Sequence, residues 1–123
     1  MATLGNRVFD NGLTVLDTEA NAIHVTSQEA SDYTEATSTY TLGNSTSLSV
    51  GAPADRTGGG REVAVAAITD GSVSATGTAT HYAIVDTANS RLLATGSLNA
   101  SQSVTSGNTF TLATFDIGIP DPA

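Results

Sequence analysis

The chain has 123 residues, 12 acids against four basic residues, a formal net charge of -8, 39% hydrophobic and 5% aromatic side chains, and no cysteine. That sign disfavours nucleic-acid backbones and anionic membrane surfaces as partners. Missing thiols exclude disulfides and thiolate metal sites, and the length fits a single domain over 1–123. All four cations are arginine, and without lysine neither a Walker-type phosphate loop nor Schiff-base chemistry is possible.

Met1 to Gly5 has none of the basic and apolar regions of a secretory signal. No apolar run approaches the ~20 residues that cross a bilayer, so a soluble domain is expected. Arg7-Val8-Phe9 and Leu13 to Leu16 flank Asp10-Asn11-Gly12, a tight-turn signal that predicts a small N-terminal hairpin; the alternative is an extended arm over 1–7. Ala22 to Thr26 is a further strand. Ser27 to Glu35 is the least hydrophobic stretch and reads as an exposed loop with Tyr33 folded back. Thr37 to Leu42 resumes strand composition, Gly43-Asn44 interrupts it, and Ser47 to Val50 alternates again.

Residues 51–61 form the clearest irregular segment, with Pro53, the pair Asp55-Arg56, and Gly58-Gly59-Gly60 before Arg61. Proline and a glycine run punctuate strands, so a long surface loop of the type that often binds partners is expected here. Arg61 to Leu98 then reads as three strands. Asp70-Gly71 signals a turn between the first two. From Val73 to Asp86 a period of two separates the small odd positions from the β-branched or polar even ones. Thr87 to Ser90 turns the chain, and Leu92, Ala94, Gly96 and Leu98 share one side of the return strand. Asn99 to Gln102 bends it. In the last run, Phe110 and Leu112 face one way, whereas Phe115, Ile117 and Ile119 face the other. Either a bulge near Ala113-Thr114 resets the register or both faces are covered.

Eight or nine short strands, with turns at the spacing of sandwiches and barrels, predict an all-β, single-domain antiparallel β-sandwich, Ig-like or jelly-roll-like, with little or no helix. Chemistry is sparse in this pattern. His24 and His81 have no metal-ligand spacing and sit among aliphatic neighbours. No Gly-x-Ser-x-Gly elbow occurs. Asp10, Asp17 and Glu19, or Glu29 and Asp32, offer only loose oxygen clusters, which read as solvated acidic turns. The scarcity of aromatic side chains argues against a glycan site. The expectation is a non-enzyme with no cofactor and no metal.

Asp10-Asn11-Gly12-Leu13 with Leu16 to Ala20, Ser27-Gln28-Glu29, Tyr33 to Thr37, Pro53 to Arg61, and the stretch from Thr78 to Phe110 together resemble small virion structural proteins of tailed bacteriophages and prophages. The resemblance implies a capsid decoration (cement) protein on the outer surface of a virion, gripping the major capsid protein or another virion protein, with self-association also open. A neck, tail or fibre component is the alternative, and a carbohydrate-binding module a remote one. The expected contact residues are Leu4 and Arg7 in the N-terminal arm, and Pro53, Asp55, Arg56 and Arg61 in the loop, with Arg56 and Arg61 suited to pairing partner carboxylates.

Overall fold

The computed structural model describes residues 5–120. Nine strands form two wholly antiparallel sheets. The strands are β1 (Ala22–Thr26), β2 (Thr41–Ser45), β3 (Ala54–Asp55), β4 (Arg61–Val65), β5 (Ile68–Val73), β6 (Gly77–Asp86), β7 (Arg91–Val104), β8 (Thr109–Leu112) and β9 (Phe115–Ile119). The larger sheet has the order β7-β6-β1-β2-β5-β8, and the smaller one β3-β4-β9. The expected all-β antiparallel sandwich is therefore the fold. Its main core joins Ile23, Val25, Ile68, Ile84 and Phe110 of the larger sheet to Val63 and Val65 of the smaller.

The N-terminal hairpin is not formed. Asn6–Glu19 is instead a 14-residue helix, α1, running straight through Asn11-Gly12. Leu13 and Leu16 are buried, and Ala20 packs beside them; spacings of three and four residues place such a set on one helical face. The tertiary gain from that apolar face outweighs the local turn preference of Asn-Gly. The extended arm expected over 1–7 likewise gives way to helix at Asn6.

Asp70-Gly71 is not a turn either. Both residues lie inside β5, which pairs with β2 and β8. The Asp70 carboxylate accepts hydrogen bonds from the hydroxyls of Ser45 and Ser47, chiefly Ser47, and these hold its pKa below the usual carboxylate range. Gly71 is required by packing: a Cβ there would lie 2.3 Å from Cε1 of Phe110. The first two of the three strands expected over Arg61 to Leu98 accordingly lie in different sheets.

The last run resolves in a third way. The chain changes sheets at Ala113-Thr114, leaving β8 in the larger sheet and continuing as β9 in the smaller. The Thr114 hydroxyl donates to the Val65 carbonyl at 2.7 Å and fixes the crossing. This switch puts Phe110, Leu112, Phe115 and Ile117 all against the main core, which explains the change of phase.

At the sheet centre, all five residues of β1 are buried. The segment expected as an exposed loop covers its outer face: Ala30 and Ala36 join Ala22, Ala83 and Val85 in a second small core, with Tyr33 and Tyr40 beside them. Residues Glu35–Thr39 are π-helical rather than extended. Their start is held by Ser31, whose hydroxyl and backbone N–H donate to Glu35 Oε1 at 2.6 and 2.8 Å, while the Glu35 N–H donates to Asp32 Oδ1 at 2.7 Å. Reciprocal bonds of this kind satisfy the free donors of a helix start. A register shift between Ala79 and His81 moves the inward positions of β6 from odd to even, so Ala79 and Ile84 share the main core while Ala83 and Val85 face out to the second.

Candidate functional site

The loop at 51–61 is built around Arg61. Its Nε donates to Asp10 Oδ1 at 2.9 Å and its Nη2 to Asp10 Oδ2 at 3.2 Å, a two-pronged grip on a carboxylate supplied by α1. Nη1 donates to Asp55 Oδ1 at 2.8 Å, and Nη2 also reaches the Pro53 carbonyl at 3.2 Å. The guanidinium side chain is only 16% exposed. Hydrogen bonds to Asp10, then to Asp55, push its pKa above the usual arginine value. A planar fork of donors suits this geometry, and a lysine point charge does not.

Arg56 turns back on its own loop, with Nη1 donating to the Gly59 carbonyl at 3.0 Å. Gly58, Gly59 and Gly60 have φ of 92°, 105° and 92°, a region that side chains rarely enter. At Gly60 a Cβ would also lie 2.0 Å from the Ile119 carbonyl oxygen. The triple glycine is thus the means by which this loop turns tightly against β9.

Of the residues expected to meet a partner, the structure brings Pro53, Asp55, Arg56 and Arg61 into one loop, where Arg61 bonds Asp55 and the Pro53 carbonyl, Arg56 bonds the Gly59 carbonyl, and Asp55 stays largely exposed. Arg7 is an exposed residue in the first turn of α1. Leu4 lies outside the described residues. The loop is an internal fastening between α1, β3 and β4, and Arg61 is held inside it rather than presented outward.

The open site lies elsewhere. The larger sheet curls until its two edge strands, β7 and β8, approach, and the Gln102 Nε2 donates to the Thr111 carbonyl at 2.9 Å. Beside that bridge the edges diverge into a cleft of ≈ 530 Å³, lined along one side by residues 96–100 of β7 and along the other by Leu112, Ala113, Phe115 and Asp116. Tyr82 and Phe115 form its floor, with ring centroids 4.6 Å apart and planes inclined at 48°, a favoured tilted arrangement. Gly96 lies opposite Tyr82 on the neighbouring strand. A Cβ there would come within 2.7 Å of the Tyr82 hydroxyl oxygen, so the glycine lets the ring lie across β7. Burial raises the Tyr82 pKa.

Two features of this cleft are unusual. Four residues of β7, 98–101, stand against the single Thr80 of β6, because the pairing jumps from His81–Ser97 to Ala79–Gln102. This bulge is the bend expected over Asn99 to Gln102. In addition, of the 14 residues of β7 only Arg91 is charged, and β7 pairs with β6 alone. Sheet edges are ordinarily protected by charge, proline or cover. Asp116 is the one charged residue lining the cleft among the described residues.

The histidines are structural in placement. His24 is buried, with Nδ1 2.8 Å from the Thr41 hydroxyl, and burial lowers its pKa. His81 Nδ1 lies 2.8 Å from the Thr80 hydroxyl. No group of three or more His, Cys, Asp or Glu side chains is placed to hold a metal among the described residues. The cleft was not foreseen from the sequence, although the long neutral run after Arg91 in so acidic a chain was the signal for it. No family model, curated protein or solved structure matches this chain.

Proposed function

We propose that this chain is a structural virion protein, a capsid decoration (cement) protein of a tailed bacteriophage, that grips the outer face of the shell. The observation that carries the reading is the edge of β7, open and uncharged over all but its first residue in a chain of net charge -8. An acidic exterior keeps crowded copies apart, whereas a neutral strand edge beside a cleft invites backbone pairing with another protein. Repetition on a preassembled lattice lets modest contacts suffice when each is made many times. The sequence resemblance to phage virion proteins points to the same role.

The test is to delete the gene from the phage or prophage that carries it. Particles lacking the protein lose infectivity faster on heating and at low ionic strength, where internal DNA pressure is highest, and added purified protein restores them. Particles as robust as wild type overturn the stabilising role. Densitometry of purified virions separates the shell from the alternative site: copies in proportion to the shell subunit mean decoration, and a small fixed number per particle means neck, tail or fibre.

A further inference from the structure

Most carboxylates with a fixed position in this protein are already engaged. Asp10 and Asp55 hold Arg61, Glu19 pairs with Arg91, Glu35 accepts from Ser31, Asp70 accepts from Ser45 and Ser47, and Asp86 accepts from Asn89 and the Ala88 N–H. Asp17, Glu62 and Asp116 have no ion-pair partner among the described residues, and of these three only Asp116 lines the cleft whose floor is the Tyr82–Phe115 pair. Phe115 and Ile117 face the core, so Asp116 between them stands on the exposed face of β9, at the rim of the cleft. A carboxylate at the rim above aromatic rings fits a cation on an apolar stem, because ring faces attract cations and the stem covers the rings. The free edge of β7 along the same cleft offers unpaired backbone groups to an extended chain.

We propose that the cleft between β7 and β9 receives an extended, basic segment of the partner protein, which adds to the β7 edge and lays a lysine or arginine side chain across Tyr82 and Phe115 toward Asp116. This deepens the reading of the chain as a partner-gripping virion protein and rests on it. It moves the principal contact from the Arg61 loop to the opposite end of β9's neighbourhood, where charge is unspent. An acidic or uncharged occupant leaves Asp116 unanswered. A second copy of this chain offers few cations, since it has only four arginines, two of them committed to internal ion pairs.

The test is an amide chemical-shift titration of the full chain with a capped pentapeptide of alternating valine and lysine, and with its valine–glutamate counterpart at the same ionic strength. The lysine peptide shifts residues 96–100, Leu112, Ala113, Phe115 and Asp116 and leaves the rest of the acidic surface unmoved; the glutamate peptide shifts none of them. Asp116→Asn, an exposed change that spares the fold, weakens binding about fivefold, the scale of one surface charge pair. Shifts spread over Asp17, Asp55 and Glu62, or equal binding by Asp116→Asn, overturn the proposal, as does a cleft that responds to maltotriose and not to the lysine peptide. A shell-binding assay keeps the two readings apart. Wild-type protein that ignores the shell sinks the decoration role, whereas wild-type and Asp116→Lys proteins that bind the shell equally sink the cleft.

Discussion

The Arg61 junction and the β7–β9 cleft are two answers to the same problem, how a strongly acidic chain uses its few strong polar contacts. At the junction, one guanidinium ties Asp10 of α1 to Asp55 and Pro53 of the loop, so the charges are satisfied within the molecule. At the cleft, a lone carboxylate, two rings and a neutral strand edge stand together with no such closure. Residues that look functional in the sequence because they are charged and loop-borne make internal contacts, and the cleft proposed to take a partner is lined by residues that look bland. The difference predicts that junction changes lower stability, and that cleft changes leave stability alone while altering binding.

The largest loss is expected from Gly60→Ala. The substitution forces a side chain into φ 92° and against the Ile119 carbonyl, at a cost of about 2 kcal/mol or more, read as a lower denaturant midpoint with an unchanged slope. A midpoint within error of wild type would mean the loop has room to rearrange and is no fastening. Next comes Arg61→Met, which keeps the stem and removes all four polar contacts; melting falls by several degrees, and Arg61→Lys recovers little of it because one ammonium cannot replace the fork. Asp10→Asn and Arg61→Met made together should fall short of the sum of the two, since both remove the same contact. Strict additivity would show that Asp10 and Arg61 do not act as a pair.

How much of this was legible beforehand depends on the range of the deciding interaction. The β6–β7 hairpin was readable because its turn is local: Asp86 accepts from the Ala88 N–H at 3.0 Å and from Asn89 Nδ2 at 2.8 Å, and Ser90 takes φ 53°. The phase change at Ala113-Thr114 was visible, but its meaning, a switch of sheets, needed the position of Val65. Asp70-Gly71 misled because the turn signal is local while its use is not: Ser45, Ser47 and Phe110, remote in sequence, make that dipeptide strand. Residues 51–61 read as an irregular loop, and the structure sets the two-residue strand β3 inside them; nothing near Arg61 in sequence announces Asp10, 51 residues away, as its clamp. The cleft depends on the curl of a whole sheet, which no short window encodes.

A pH dependence probes the larger sheet, whose edge strand β7 borders the cleft. His24 is buried at its centre and its pKa is lowered by that burial, so the unfolded chain binds the proton at a pH where the folded chain does not. Stability from this group is complete above the ordinary histidine value of about 6.5 and is lost as pH falls from there through the folded pKa. The slope is at most about 1.4 kcal/mol per pH unit, the one-proton limit. The depressed carboxylates Glu35, Asp70 and Asp86 work in a lower window: their contribution is present above about pH 4 and disappears below it. Melting temperatures of wild type should therefore fall between pH 7 and 5, and those of His24→Gln should be flatter over the same range. An equal slope in both would assign the effect to another group.

The smallest effect is a gain. Gly12 lies inside α1 although its position after Asn11 is what makes the sequence look like a turn, and a Cβ there would meet only Ile119 Cδ1, at 3.8 Å, an ordinary contact. Gly12→Ala should stabilise the protein by about 0.5–1 kcal/mol, because glycine in a helix interior gives up more backbone freedom on folding than alanine. The same substitution weakens the hairpin that the local sequence favours, since alanine does not enter φ > 0 readily. Helix and hairpin thus predict opposite signs for one methyl group. A firmer α1 also holds Asp10 more steadily against Arg61, so the gain should shrink in an Arg61→Met background while binding of the lysine peptide at the cleft stays as it was. A loss of stability in Gly12→Ala would restore the turn at Asn11-Gly12 and remove the helix that supplies the junction with its carboxylate.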